Sequence, residues 1–259
     1  MKVDNVAYRI VTIDQSAAAV IYLTRVKLRS YSVYASVRKI RQENLTMNSF
    51  ASIIVAAALT LASPTPLFAE EYTENTHYEL VTPPQPTSTG NKVEVVELFW
   101  YGCPHCYQFE PYVQKWLKTK PANVEFVRMP GIFRPEWALF GRAYYAEEAL
   151  GVFDKTHDLL FAAVHELKRK LETEDQLVAF FAENGVKEDD FRKAFRSFAV
   201  ESKVRRAQEM SQRYGAKGVP TVIVNGKYRV GASMPGVQTH ANVFKVVDYL
   251  IQKESALKK

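Results

Sequence analysis

Cysteine is scarce in this chain of 259 residues, which holds only Cys103 and Cys106. Two cysteines cannot build a multi-bridge framework, so an apolar core has to hold the fold. With 47% hydrophobic and 12% aromatic residues the chain can supply one, which excludes a disordered protein. The apolar run at 50–61, broken only by Ser52 and Thr60, is too short to span a bilayer. Excess charge is also missing from most of the chain. Of its 34 basic and 28 acidic residues, eight and three lie in 1–69, leaving 26 against 25 for the remainder. A nearly neutral body removes the main argument for a nucleic-acid partner, despite a formal charge of +6. No internal repeat is present.

The run at 50–61 is followed by Pro64, Pro66 and the small residue Ala69, the order of a signal h-region and cleavage region. Residues 47–69 are therefore expected to be a signal peptide core and cleavage region, cut after Ala69, although Leu67 is bulky for the −3 position. Residues 1–46 are too long for an n-region and read as an extension. Translation is expected to start inside it, near Val37, which keeps Arg38, Lys39 and Arg41 ahead of the apolar run. Export would take the cysteines to an oxidising compartment, where a disulfide persists.

Residues 70–92 are polar and turn-rich, with a short extended piece expected near 77–81. The segment 93–100 is β-branched, aromatic and almost continuously apolar, as expected of a central strand covered on both faces. Phe109, Tyr112, Val113, Trp116 and Leu117 then recur at helical spacing, and a second strand follows at 124–128. From 135 to about 214 the pattern is helical, with a capping box at Thr173-Glu174-Asp175-Gln176 and a stop at Asn184-Gly185. Strands at 220–224 and 227–230 flank Asn225-Gly226, a strong hairpin signal because both residues tolerate positive φ. A helix at 239–252 closes the chain. Phe99 and Phe109 are assigned to the core, while Trp100, Tyr101 and Tyr107 flank the cysteines and could be core or client-binding surface.

A disulfide between residues three apart closes a small ring and constrains little of the unfolded chain, so a purely structural bridge is poorly placed here. At a helix N-terminus Cys103 would face unpaired N–H groups and the positive end of the dipole, which favour its thiolate. His105 adds a donor and a positive charge beside the sulfur. A stabilised thiolate stabilises the reduced form and makes the disulfide more oxidising. Pro104 suits the first helical turn, where no N–H is needed, and Cys106 should be the more buried resolving thiol. The other reading of His105, as a zinc ligand with both cysteines, lacks a fourth ligand: His77, His157, His165 and His240 are scattered. No metal or cofactor is expected. Glu97, six residues before Cys103 in an apolar strand, is either an acid paired with a nearby Lys or Arg or a group acting on the cysteines.

Strand, Cys103-Pro104-His105-Cys106, helix, long helical insertion and Gly218-Val219-Pro220-Thr221 before a hairpin together resemble the thioredoxin superfamily, specifically periplasmic thiol:disulfide interchange proteins of the DsbA type. The resemblance covers about 72–255. It implies an α/β thioredoxin fold, with 70–134 and 206–259 as the thioredoxin-like domain and 135–205 as a helical insertion. It also implies that Pro220 is a cis-proline against the disulfide, where residues alone would also allow an ordinary trans proline opening a strand. Val219 would then offer backbone hydrogen bonds to a substrate, and Glu97 would exchange protons with Cys106. The implied activity is dithiol oxidation in newly exported proteins with free cysteines, by a monomer that a quinone-linked membrane oxidase reoxidises. Two departures stand out: Gly102 replaces an aromatic of some relatives, and 128–134 does not align by eye.

Rival readings share part of this pattern. A reductase or isomerase of the same superfamily would carry the motif, but periplasmic isomerases add a dimerisation domain for which 70–92 leaves no room. A glutathione-linked isomerase would commonly lack the Cys pair. A client-binding chaperone with a structural disulfide would keep binding unfolded chains after Cys103→Ser and Cys106→Ser.

Overall fold

The computed structural model describes residues 71–257. The expected signal peptide, its cleavage site and the extension at 1–46 lie outside the described residues. A five-stranded sheet has the order β1-β5-β4-β2-β3, built from β1 (Glu79–Leu80), β2 (Val93–Phe99), β3 (Val124–Pro130), β4 (Thr221–Val224) and β5 (Tyr228–Val230). Seven helices accompany it among the described residues: α1 (Pro104–Leu117), α2 (Ala138–Leu150), α3 (Phe153–His165), α4 (Glu174–Glu183), α5 (Glu188–Phe195), α6 (Phe198–Arg213) and α7 (His240–Leu257). None is long and apolar enough to cross a membrane.

Strand β2 is buried at all seven positions, parallel to β3 and antiparallel to β4. Because its side chains alternate between faces, Val93 and Val95 pack with Phe109, Val113 and Trp116 of α1 and with α7. Val96 and Leu98 instead meet Met210 of α6 and Tyr214, which caps its C-terminus. Glu97 has the parity of Val95 and Phe99, which places it on the α1 face, beneath the helix that begins at the cysteines. Glu94, on the other face, is satisfied by the N–H and hydroxyl of Ser88 at 2.7 and 2.8 Å.

Local chemistry sets several boundaries. Thr173 and Gln176 form the reciprocal capping box that opens α4. Asn225 and Gly226 take φ of 51° and 67°, turning β4 into β5, and a Cβ on Gly226 would lie 2.0 Å from the carbonyl oxygen of Gln85. Strand β3 runs two residues beyond the expected 128, because Phe99 continues the ladder to Pro130. Helix α7 extends to Leu257 rather than 252. Helix α6 continues unbroken through 205, so the boundary expected between insertion and thioredoxin-like part falls inside a helix whose Met210 packs under the sheet.

Candidate active site

Cys103 is the N-cap residue of α1, in extended conformation, with Pro104 in the first turn, where its missing N–H leaves no bond unmade. The Cys103 amide is tied to the carbonyl of Trp100 at 2.9 Å. Both cysteines are free thiols, Cys103 9% exposed and Cys106 1%. Hydrogen bonding from Cys106 lowers the Cys103 thiol from an ordinary value of 9.0 to about 6, against the opposing effect of burial and with help from the N–H groups of Cys106 and His105 and the His105 charge. Burial pushes Cys106 well up, and the adjacent Cys103 and Glu97 add to this. The two sulfurs therefore differ sharply in readiness to ionise.

The Val219–Pro220 peptide bond is cis, and Cys103 Sγ lies 3.5 Å from the Val219 carbonyl oxygen. Beside them a cavity of about 510 Å³ is lined by His105, Gln108, Val219, Pro220, Ala232 and His240, among others. His105 is exposed at its mouth. Trp100 stacks on Trp137 at 4.2 Å with an interplanar angle of 2°, and Gly102 lies so close under that indole that a Cβ there would sit 2.3 Å from it. Tyr107 stacks on His165 and bonds Glu166. Tyr101 is not client-facing surface but fully buried.

Glu97 has a cation: Arg128 Nε stands 3.2 Å from its Oε2, yet neither atom makes an aligned hydrogen bond. Arg128 directs Nη2 to Glu110 of α1, which also accepts from Gln114 at 2.7 Å. Burial holds the Glu97 carboxyl above the ordinary range, Arg128 opposing and the Glu110 charge reinforcing. Glu110 is held below that range: burial works against ionisation, but the contacts from His157 and Arg128 outweigh it. His157, 2% exposed, places Nε2 3.5 Å from Glu110 Oε2 and Nδ1 2.6 Å from the Tyr101 hydroxyl. That hydroxyl also lies 3.0 and 3.2 Å from the carboxyl oxygens of Glu147, a fully buried acid kept above its ordinary range chiefly by burial.

The structure thus gathers Cys103, Pro104, His105, Cys106, Glu97, Val219 and Pro220 around one spot. Sequence reading missed Glu110, Arg128, Tyr101, His157 and Glu147 as members of the buried polar group below it. Two signals were available: Glu110 follows Cys106 by one helical turn on an apolar face, and His157 continues the Phe153, Phe161 spacing of α3. Glu110, His157 and Asp158 bring donor atoms within 4.8 Å of one another, but a cation there would face the Arg128 guanidinium already lying on Glu110.

A family model described as DSBA-like thioredoxin domain matches residues 138–241, the helical block through the hairpin to the start of α7. The thiol:disulfide interchange protein DsbA of Pseudomonas aeruginosa is 39% identical over 213 residues, covering 80% of this chain and 99% of that protein. The chain belongs to the DsbA family. The DsbA of Burkholderia cepacia is 37% identical over 208 residues, covering 78% of this chain and 92% of its own length. The crystal structure of Pseudomonas aeruginosa DsbA superposes with a TM-score of 0.70 at 40% identity, covering 74% of this chain and 99% of that one. As a DsbA family member the chain is a thiol:disulfide oxidoreductase with a thioredoxin fold carrying inserted helices.

Proposed function

We propose that the protein is a disulfide donor, passing a Cys103–Cys106 disulfide to cysteine pairs of newly exported proteins. The observation that carries this reading is the contrast between the two sulfurs. Cys103 is the more accessible, is eased into its thiolate, and lies against the Val219 carbonyl, whereas Cys106 is shut in. A substrate thiolate attacks Cys103 Sγ of the oxidised protein. The Cys103–Cys106 bond breaks, the electron pair goes to Cys106, and Cys106 takes up a proton. A second substrate thiolate attacks the substrate sulfur of the mixed disulfide, forming the product disulfide and releasing Cys103 as a thiolate. A low Cys103 pKa makes it a good leaving group in that second step.

In this reading Val219 offers main-chain hydrogen bonds to an extended substrate segment beside Pro220, His105 and Pro104 tune Cys103, and Glu97 supplies the proton for Cys106. The site works in the periplasm as a monomer, after export through 47–69 and cleavage following Ala69. A quinone-linked membrane oxidase restores the disulfide.

The redox equilibrium of the purified protein against a glutathione series tests this. Strong preference for the reduced form, together with oxidation of a reduced client that disappears in Cys103→Ser, is the expected result. A reducing potential would move the protein to the reductases.

A further inference from the structure

Two buried carboxyl groups, Glu97 and Glu110, share one guanidinium below the cysteines, and their surroundings are unequal. Glu97 has only the misaligned Arg128 Nε at 3.2 Å. Glu110 has Arg128 Nη2, Gln114 Nε2 and, on its other oxygen, His157. His157 comes from α3, outside the thioredoxin-like strands and helix that carry the rest of the site. Its Nε2 is buried and makes no aligned hydrogen bond, with Glu110 Oε2 3.5 Å away. A buried ring N–H needs an acceptor and a carboxylate needs a donor, so the proton belongs on Nε2. Nδ1 is then the acceptor for the Tyr101 hydroxyl at 2.6 Å, and Glu147, kept protonated by burial, donates to the Tyr101 oxygen in turn. Tyr101 lies two residues before Cys103, and its main-chain carbonyl is held by His165 Nε2 at 2.7 Å, also from α3.

We propose that His157, locked by Tyr101 with its proton on Nε2, is a positioning residue of the redox site that holds Glu110 as the ionised member of the pair and so leaves the exchangeable proton on Glu97. The inference rests on the reading of Glu97 as the proton partner of Cys106. Burial disfavours ionisation of Glu97, and the like charge of Glu110 across Arg128 adds to it. If the donor to Glu110 is lost, Glu110 becomes harder to ionise, and the asymmetry shrinks from the Glu110 side. The groups facing this pair are Arg128 from β3, Cys106 and Gln114 from α1, and His157 with Asp158 from α3. Those facing the imidazole are Tyr101, Glu110, Arg128 and Asp158, with Glu147 of α2 on the far side of the Tyr101 hydroxyl. The shifts agree in direction, Glu97 raised and Glu110 lowered with the His157 contact among the causes.

The test is the infrared carboxylic-acid band of Glu110, identified by its loss in Glu110→Gln and titrated in the oxidised protein, where neither sulfur takes up a proton. In His157→Phe the Glu110 midpoint should rise by about one pH unit, the size of one charge-assisted hydrogen bond. His157→Gln, which returns an N–H donor, should recover at least half of that shift, and Tyr101→Phe should show a smaller rise. An unmoved midpoint in His157→Phe, or a Gln variant shifted as far as Phe, overturns the proposal. If His157→Phe does not fold, Tyr101→Phe decides alone, an unmoved midpoint being the overturning result. The titration needs no substrate, so absence of client oxidation by the unmodified protein would sink the disulfide-donor reading while leaving this result to stand or fall separately.

Discussion

Acidifying the reduced protein should erode its stability along a course set by Cys103. The folded value of that thiol, about 6, lies below its ordinary 9.0, so the stabilisation is complete above the unfolded value and is lost as pH falls through the folded one. Each unit of separation is worth about 1.4 kcal/mol, which gives roughly 1.4 kcal/mol at pH 7 and almost nothing at pH 5. Cys103 keeps some contact with solvent, and allowing for screening leaves about 1 kcal/mol at pH 7. Cys106, with a raised value, keeps its proton in both folded and unfolded chains across this window and adds no slope. Carboxylates and histidines titrate in oxidised and reduced protein alike, so to first order they cancel when the two are compared. The assay is urea unfolding of both redox forms at steps between about pH 8 and pH 5, beside the ultraviolet absorbance of the thiolate. The stability of reduced over oxidised protein should fall by about 1–2 kcal/mol across that range, with the absorbance midpoint near 6. For a two-electron couple, the 1 kcal/mol at pH 7 corresponds to roughly 20 mV of oxidising potential. A flat difference and an absorbance midpoint near 9 would refute the reasoning from helix N-terminus to thiolate.

Arg128→Met strands two buried carboxyl groups against each other and should cost about 3–5 kcal/mol in urea unfolding near neutral pH; a loss below about 1 kcal/mol would mean the cluster is open to water. Gly102→Ala pushes a methyl into the Trp100 indole and should cost about 1–3 kcal/mol, with a tryptophan fluorescence change as Trp100 leaves its stack on Trp137; unchanged fluorescence and melting temperature would count against that packing. Thr173→Ala removes the α4 capping box and should lower stability by about 1 kcal/mol with no change in the Cys103 thiolate titration, since the cap lies in the helical block away from the cysteines.

Much of the fold was legible because its signals are local. The apolar continuity of 93–99, the Asn225-Gly226 turn and the capping box each specify backbone conformation from a few neighbouring residues. The cysteine pair was legible for the same reason: its spacing and its position between strand and helix already dictate a thiol facing unpaired N–H groups. The partner of Glu97 and the burial of Tyr101, both left open by the sequence, depend on residues far away in it. Glu97 meets Arg128 from the neighbouring parallel strand, in register with it across the ladder. Tyr101 is buried because α2 and α3 bring Glu147 and His157 to its hydroxyl.

Sequence by itself determined the order of elements and the placing of two thiols at a helix N-terminus, since each follows from spacing, residue type and backbone preference; Pro220 was set beside them only through the family resemblance. Only tertiary structure decided the unequal surroundings of the two carboxyl groups below the cysteines. They depend on where two distant side chains, Arg128 and His157, deliver one guanidinium and one imidazole, and burial makes those few ångströms count.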